Sequence, residues 1–218
     1  KLFVLKPLYQ RVLIVFGGPL ANFLLAIVIF FSIYTFIGKD FTPAVINEVQ
    51  TESPAMTGGL KQNDVILEID GNKVESIMDV SKYIMMSTDD FIDFKVKRSY
   101  DELLLKIKPD VVLSEDNLGN KINKRMVGIK LSAQNNEINH KKLGPAQAIY
   151  HAVYEVYYVS TSSLKYIGAM IFGKADTSQL GGPIRIAKIS GQVAEFGFLA
   201  FISMMAYISI SLGLVNLF

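Results

Sequence analysis

Two long runs of uncharged apolar residues, one near each end of the chain, constrain the fold more than any other feature. The first extends from Val12 to Ile37 and the second from Phe198 to Phe218. Each is long enough to cross a bilayer core of about 30 Å as a helix. The charged residues lie outside these runs, so the sequence predicts a membrane protein that holds a water-soluble part between two spanning helices.

The composition excludes several functional classes. Half of the 218 residues are hydrophobic and the formal net charge is only +2. Nucleic-acid binding calls for a larger basic excess, so no nucleic-acid partner is expected. The chain has no cysteine, which excludes disulfide frameworks, thiolate metal sites and cysteine nucleophiles.

The first apolar run contains Gly17-Gly18-Pro19. Proline fits the first turn of a helix better than its interior, so we expect the helix to kink or restart there. Three basic residues precede the run, whereas the two charges directly after it cancel. The positive-inside rule therefore places the N-terminal side in the cytoplasm. A signal peptide is the alternative, but no small-x-small cleavage site follows the run.

Between the runs, short alternating segments predict a small mixed sheet with two helices. Asp70-Gly71 is a strong turn signal. The expected strands are Ala44–Val49, Asp64–Ile69, Phe91–Lys97 and Leu103–Ile107, and the expected helices are Ser53–Gly58 and Ser76–Met86.

The remaining third of the chain is less regular. Residues 110–142 are polar and predict a loop with one closing strand, Met126–Leu131. Residues 143–172 show a long helical pattern rich in tyrosine, which suits a helix at the membrane interface or one packed in protein. A loop is expected at Leu180–Ile184.

The middle segment resembles a PDZ domain of the bacterial kind. The resemblance rests on SPA at residues 53–55, GL at 59–60, NDVI at 63–66, IDG at 69–71 and VKR at 96–98. Gly59 and Asn63 depart from the family pattern, which has alanine-glycine and glycine there. PDZ domains bind an extended peptide as an added strand beside a helix. The alternative is a domain that only spaces or plugs.

The PDZ resemblance implies a groove along the helix at Ser76–Met86. Its implied lining includes Val80 and Ile84. The hydrophobic-Gly-hydrophobic sequence Val127-Gly128-Ile129 is expected to face the peptide terminus.

The flanks resemble the site-2 proteases, and the bacterial RseP-type enzymes with a single PDZ domain in particular. The motifs are GGPLANF at residues 17–23, LGGPIRIA at 180–187 and SLGLVNLF at 211–218. They are similar, in the same order, to the family's second membrane segment, its LGGPI loop and the segment before its LDG motif. The implied fold class is a multi-pass α-helical membrane protein with an inserted α+β PDZ-like domain.

This resemblance divides the chain into five parts. They are a membrane segment (1–39), a PDZ-like domain (40–110), a polar linker with a closing strand (111–142), an interfacial helix with a Gly-Gly-Pro loop (143–197) and a second membrane segment (198–218).

The resemblance also implies an intramembrane zinc metalloprotease. In that family an HExxH helix and an LDG aspartate hold the zinc, and the glutamate acts as general base. Neither motif is in this sequence, so we expect the chain to be an internal fragment that is inactive alone. The two histidines, His140 and His151, are joined by no carboxylate motif, and solvated or interfacial roles suit them better than a metal site.

The resemblance implies that the residues of this chain surround the metal site and do not bind the metal themselves. Asn216 matches an asparagine that engages the substrate backbone, although a helix–helix hydrogen bond is the alternative. Gly181, Gly182 and Pro183 are expected to shape a loop at the mouth of the active site. Gly18, Pro19 and Asn22 are expected to be structural, because small residues permit close helix packing and the Asn22 amide can tie helices together.

The implied function is regulated intramembrane proteolysis in a bacterial inner membrane, with the PDZ-like domain on the extracytoplasmic side. Implied substrates are membrane-anchored proteins such as anti-sigma factors or signal-peptide remnants. The first alternative is a non-catalytic, membrane-tethered PDZ scaffold. A transporter fragment is the second, but no inverted repeat supports it.

Overall fold

The computed structural model describes residues 6–115, 121–133, 138–173 and 183–217. Its helices are α1 (Leu8–Ser32), α2 (Pro54–Thr57), α3 (Ile77–Met86), α4 (Pro145–Ile171), α5 (Pro183–Glu195) and α6 (Phe198–Val215). Its strands are β1 (Lys39–Asp40), β2 (Ala44–Val49), β3 (Val65–Ile69), β4 (Asn72–Lys73), β5 (Ile92–Arg98), β6 (Asp101–Ile107), β7 (Asp110–Glu115), β8 (Lys121–Met126), β9 (Ile129–Ala133) and β10 (His140–Lys141).

The chain forms two compact units. The helical unit contains residues 1–39, 142–161 and 182–218, and the sheet unit contains residues 40–141 and 162–181. Among the described residues, two helices are long and apolar enough to cross a membrane: α1 with its π-helical extension to Ile37, and α6. These are the two helices that the apolar runs predict.

Helix α1 runs through Pro19 without a break. Of the two outcomes predicted at Gly17–Pro19, the restart is wrong and the kink stays a prediction. An interior proline costs a helix about 3 kcal/mol. Ending a helix in an apolar medium leaves several backbone groups unpaired, each at a cost of several kcal/mol. The continuous helix therefore has the lower free energy.

Helix α1 ends in a π-helical turn, Ile33–Ile37, that is closed by the Gly38 amide donating to the Ile33 carbonyl over 2.8 Å. The Tyr34 carbonyl within this turn accepts a 3.0 Å hydrogen bond from the Leu143 amide. Leu143 leads directly into α4, so the chain leaves α1 and returns to the helical unit at neighbouring points.

The sheet unit is built on an antiparallel sheet with the strand order β6-β5-β3-β2-β9, and β4 pairs with β3. Alternating side chains of β5 fill the core, since Ile92, Phe94 and Val96 are buried while the residues between them are not. Helix α3 begins with a capping box in which Ser76 and Asp79 accept each other's backbone amide. The strands and helices expected from residues 44 to 107 are thus confirmed to within a few residues.

The segment after β6 differs from its prediction in two ways. Residues 110–126 contain a hairpin, β7–β8, where the sequence predicts a loop. The expected strand Met126–Leu131 is interrupted, because β8 ends at Met126 and β9 begins at Ile129. Gly128 between them has φ +79°, which a regular strand does not accommodate.

Candidate functional site

The edge strand β9 and helix α3 form the part of the sheet unit that a PDZ-like groove would use. Within the described residues β9 pairs with β2 on one side only, and α3 packs beside it. An unpaired strand edge offers backbone donors and acceptors to an added strand.

The side chains expected to line this groove are mostly buried in the core. Val80 is 1% exposed and Ile84 is 7% exposed. Val127 and Gly128 are buried as well, and Ile129 is half-buried. Helical periodicity identified the apolar face of α3 correctly, but that face covers the sheet, and periodicity alone does not distinguish a core face from a groove.

The Val127–Gly128 turn is fixed by its carbonyl groups. The Val127 carbonyl accepts from the Ala55 amide over 2.8 Å, and the Gly128 carbonyl accepts from the Gln50 amide over 2.9 Å. A trans peptide places its N–H opposite its C=O. The amides of Gly128 and Ile129 therefore point away from residues 50–55.

Gly128 is required by two constraints at once. Its φ of +79° favours glycine, and a Cβ at this position would lie 2.4 Å from the Cβ of Ser53. Ser53 is the N-cap of α2 and accepts from the Met56 amide. The turn before β9 is therefore locked onto the start of α2.

Asp64 of the NDVI motif forms an ion pair with Arg98 of β5. Asp64 is 0% exposed and accepts from Arg98 Nε at 2.7 Å and Nη2 at 2.8 Å. Arg98 also donates to the Gly59 carbonyl, and the hydrogen bond to Asp64 raises the pKa of Arg98 above its ordinary value. Asn63 has φ +69°, a left-handed conformation that glycine or asparagine tolerates.

Helices α1 and α6 pack against each other through one face each. The buried residues of α6 are spaced by three or four positions: Ala206, Ser209, Ile210, Gly213 and Leu214. The close approach is at Gly213, where an added Cβ would lie 3.1 Å from the ring of Phe23. Gly17 and Gly18 have no described atom within 4 Å of an added Cβ, so the close packing expected at these two glycines stays a prediction.

Asn22 joins the two helices, but through its backbone. Its carbonyl accepts a 2.8 Å hydrogen bond from Ser209 Oγ of α6. The tie expected through the Asn22 side-chain amide stays a prediction. Pro19 is buried and Gly18 is exposed.

Asn216 ends α6 as its C-cap residue and is exposed. Its backbone amide donates to the Leu212 carbonyl, while the side chain is not buried in the α1–α6 packing. Gly181 and Gly182 lie outside the described residues. Pro183, expected in a loop, is the first residue of α5, the helical position that proline favours.

Two contacts of the helical unit were not foreseen. Glu155 of α4 is buried and accepts a 2.9 Å hydrogen bond from Tyr207 Oη of α6. Lys39 Nζ lies 3.3 Å from His151 Nδ1. Glu155 is the single acidic residue of the tyrosine-rich segment at 143–172, and that isolation was the available signal.

The described residues do not fit a zinc ion by themselves. They bring together no group of three histidine, cysteine, aspartate or glutamate side chains able to hold a metal. His140 is exposed in β10, and His151 packs edge-on against Tyr34.

Two apolar helices of spanning length with an inserted α+β unit between them define an architecture suited to a membrane-anchored enzyme or receptor. The chain belongs to peptidase family M50, whose family model matches residues 2–218. This is the site-2 protease family that the three flanking motifs indicated.

Curated relatives from several bacteria are named as zinc metalloproteases. A protein of Agrobacterium fabrum named as a zinc metalloprotease is 36% identical over 96% of this chain and 56% of its own length. The zinc metalloprotease RasP of Geobacillus kaustophilus is 29% identical over 99% of this chain and 48% of its own length. The chain thus spans about half the length of the curated relatives it matches.

Among solved structures, the PDZ domain of an SdrC-like protein of Listeria monocytogenes is 25% identical to this chain. It covers 42% of this chain and 88% of its own, with a TM-score of 0.34. A related domain of Listeria innocua is 24% identical, with a TM-score of 0.33.

Proposed function

We propose that this chain is the substrate-holding part of an intramembrane zinc metalloprotease of the bacterial inner membrane. The parent protein would cleave membrane segments of anchored proteins, such as anti-sigma factors or signal-peptide remnants. Zinc would be held by the HExxH and LDG residues that the family resemblance implies, none of which is in this sequence. The sheet unit would lie on the extracytoplasmic side and screen substrates.

The observation that carries the proposal is Asn216 at the end of an apolar helix. A polar side chain at membrane depth is costly unless it has a partner. Asn216 is exposed and follows 18 residues of uncharged helix. Its carboxamide offers both an acceptor and donors, which match the C=O and N–H of a peptide unit in an unwound substrate segment.

A substrate helix must unwind before it is cut, because a helix pairs its own backbone groups. Each backbone group that is opened inside the bilayer needs a new partner. The Asn216 carboxamide would supply one, and the edge of β9 would hold the extracytoplasmic part of the substrate as an added strand. Both interactions favour an extended backbone over a helix.

The test uses the full-length protein in proteoliposomes with a reporter that has one membrane segment. Asn216→Ala removes a hydrogen bond of about 1–3 kcal/mol. Since 1.36 kcal/mol is tenfold in rate, we expect cleavage to fall by about 5- to 160-fold. Ser211→Ala is the matched control, because Ser211 is exposed on the same helix and bonds its own backbone at Tyr207.

Equal cleavage by Asn216→Ala and wild type would remove the role of this residue. If the wild-type full-length protein binds no zinc and leaves the reporter intact, the non-catalytic scaffold is the correct function instead.

A further inference from the structure

Glu155 is a buried acid that the proposed function does not use. The described residues contain three buried carboxylates: Asp64, Asp79 and Glu155. Asp64 is held by Arg98, and Asp79 is held by backbone amides at the start of α3. Glu155, 7% exposed, is the one that lies in the helical unit. A buried carboxylate persists only where hydrogen bonds replace its hydration.

The partner of Glu155 lies on the apolar helix α6. Tyr207 Oη donates to Glu155 Oε1 over 2.9 Å, and the Tyr207 ring packs edge-on against Phe30 of α1 at 5.2 Å. A hydrogen bond of this kind contributes about 0.5–1.5 kcal/mol net. The residues around it on α6 are uncharged, so no other charged group of that helix competes for Glu155.

A second hydrogen bond holds the opposite side of α6. Ser209 Oγ donates to the Asn22 carbonyl of α1 over 2.8 Å. Positions two apart on a helix are rotated by roughly 200°, because each residue adds about 100°. Tyr207 and Ser209 therefore leave α6 on opposite sides of its axis. Both reach α1, through Phe30 and Asn22, and Tyr207 also bonds Glu155 of α4, so together the contacts oppose rotation of α6 about its own axis.

We infer that Glu155 and Tyr207 form a positioning pair that sets the orientation of Asn216. This inference rests on the proposed function. Asn216 lies about two and a half helical turns beyond Tyr207 on the same rigid helix. A small rotation of α6 would swing the Asn216 carboxamide out of reach of a substrate peptide unit. Helix α4, through Glu155, thus determines whether α6 presents that carboxamide correctly.

The test measures cleavage by full-length Tyr207→Phe, Asn216→Ala and the double variant. Tyr207→Phe keeps the ring and removes only the hydroxyl, and we expect about a 10-fold loss of cleavage. The double variant should be no slower than Asn216→Ala alone. The only side chain that Tyr207→Phe would misplace, that of Asn216, is already absent from it. Losses that multiply would mean that Tyr207 acts through general stability, and would overturn the inference.

The partner side chain gives a conservative comparison. Glu155→Gln keeps an acceptor oxygen for Tyr207, whereas Glu155→Ala removes it. Glu155→Gln should therefore recover most of the cleavage that Glu155→Ala loses. Equal losses in these two variants would contradict a hydrogen-bonding role.

A readout without activity separates this inference from the proposed function. The chain has no cysteine, so a spin label at Asn216→Cys, in full-length protein without other cysteines, reports the orientation of this position. Tyr207→Phe should change the label's mobility, and Ser211→Ala should not. If Tyr207→Phe changes the label's mobility while Asn216→Ala cleaves normally, the positioning pair stands and the proposed function fails. An unchanged label overturns the positioning pair.

Discussion

The turn before β9 makes a quantitative prediction about Gly128. Replacing Gly128 with alanine places a Cβ 2.4 Å from the Cβ of Ser53 in a backbone with φ +79°. The left-handed backbone alone costs alanine about 1–2 kcal/mol. The overlap adds about 1–3 kcal/mol, the usual cost of overpacking. If Ser53 moves, its cap on α2 is lost as well, at about 1 kcal/mol.

A matched variant separates the backbone cost from the overlap. Gly71 in the β3–β4 turn has φ +74°, and nothing lies within 4 Å of an added Cβ. Gly71→Ala therefore meets the backbone cost only. We expect Gly128→Ala to be less stable than Gly71→Ala by about 2–4 kcal/mol, the sum of overlap and lost cap.

The assay is pulse proteolysis in urea, which reports unfolding of the sheet unit within the intact, detergent-solubilised protein. The free energy of unfolding follows from the midpoint with a slope of about 1–3 kcal/mol per molar urea. Hydrogen exchange at the amides of α2 gives a local check, because these amides should lose protection in Gly128→Ala first. Equal midpoints for the two variants would refute the claim that the turn is locked onto Ser53.

Two further predictions concern the charges of the sheet unit. Asp64→Ala removes the carboxylate that accepts from Arg98, whose side chain is 29% exposed. It should lower the free energy of unfolding by about 1.5–3 kcal/mol, measured by the same proteolysis, whereas Glu68→Ala removes a half-exposed carboxylate and should change it little. The hydrogen bond from Lys95 to Glu102, and then that to Glu68, raises the pKa of Lys95 above its ordinary value of 10.5. The stability that this lysine contributes relative to Lys95→Met should therefore be constant below that pH and decline as pH rises through the raised pKa; a difference that instead grows above pH 10.5 would contradict this assignment.

Local sequence signals predicted much of the fold because they act within a few residues. The Asp70-Gly71 turn, the helix expected at Ser76–Met86 and the two apolar helices are examples, and each is present. The hairpin β7–β8 escaped prediction because Val111 and Leu113 are exposed. A two-stranded ladder without a buried face does not require alternating apolar and polar residues, so the sequence carries no strand pattern there.

The candidate site was less predictable because its contacts join distant parts of the chain. Asn22 was identified as a tie between helices, but which of its atoms is used depends on where Ser209 of α6 falls. The pairing of Glu155 with Tyr207 also depends on how α4 and α6 meet. Helical periodicity carries information about faces of one helix, not about the neighbour that each face receives.

The hydrogen bond between Leu143 and Tyr34 has a consequence for how such proteins change in evolution. Because the chain departs from and rejoins the helical unit at adjacent positions, the roughly hundred residues between them form a removable insert. A relative could lengthen, duplicate or lose that insert while its helices keep their packing. Selection on the sheet unit and selection on the packing of the apolar helices can then proceed separately.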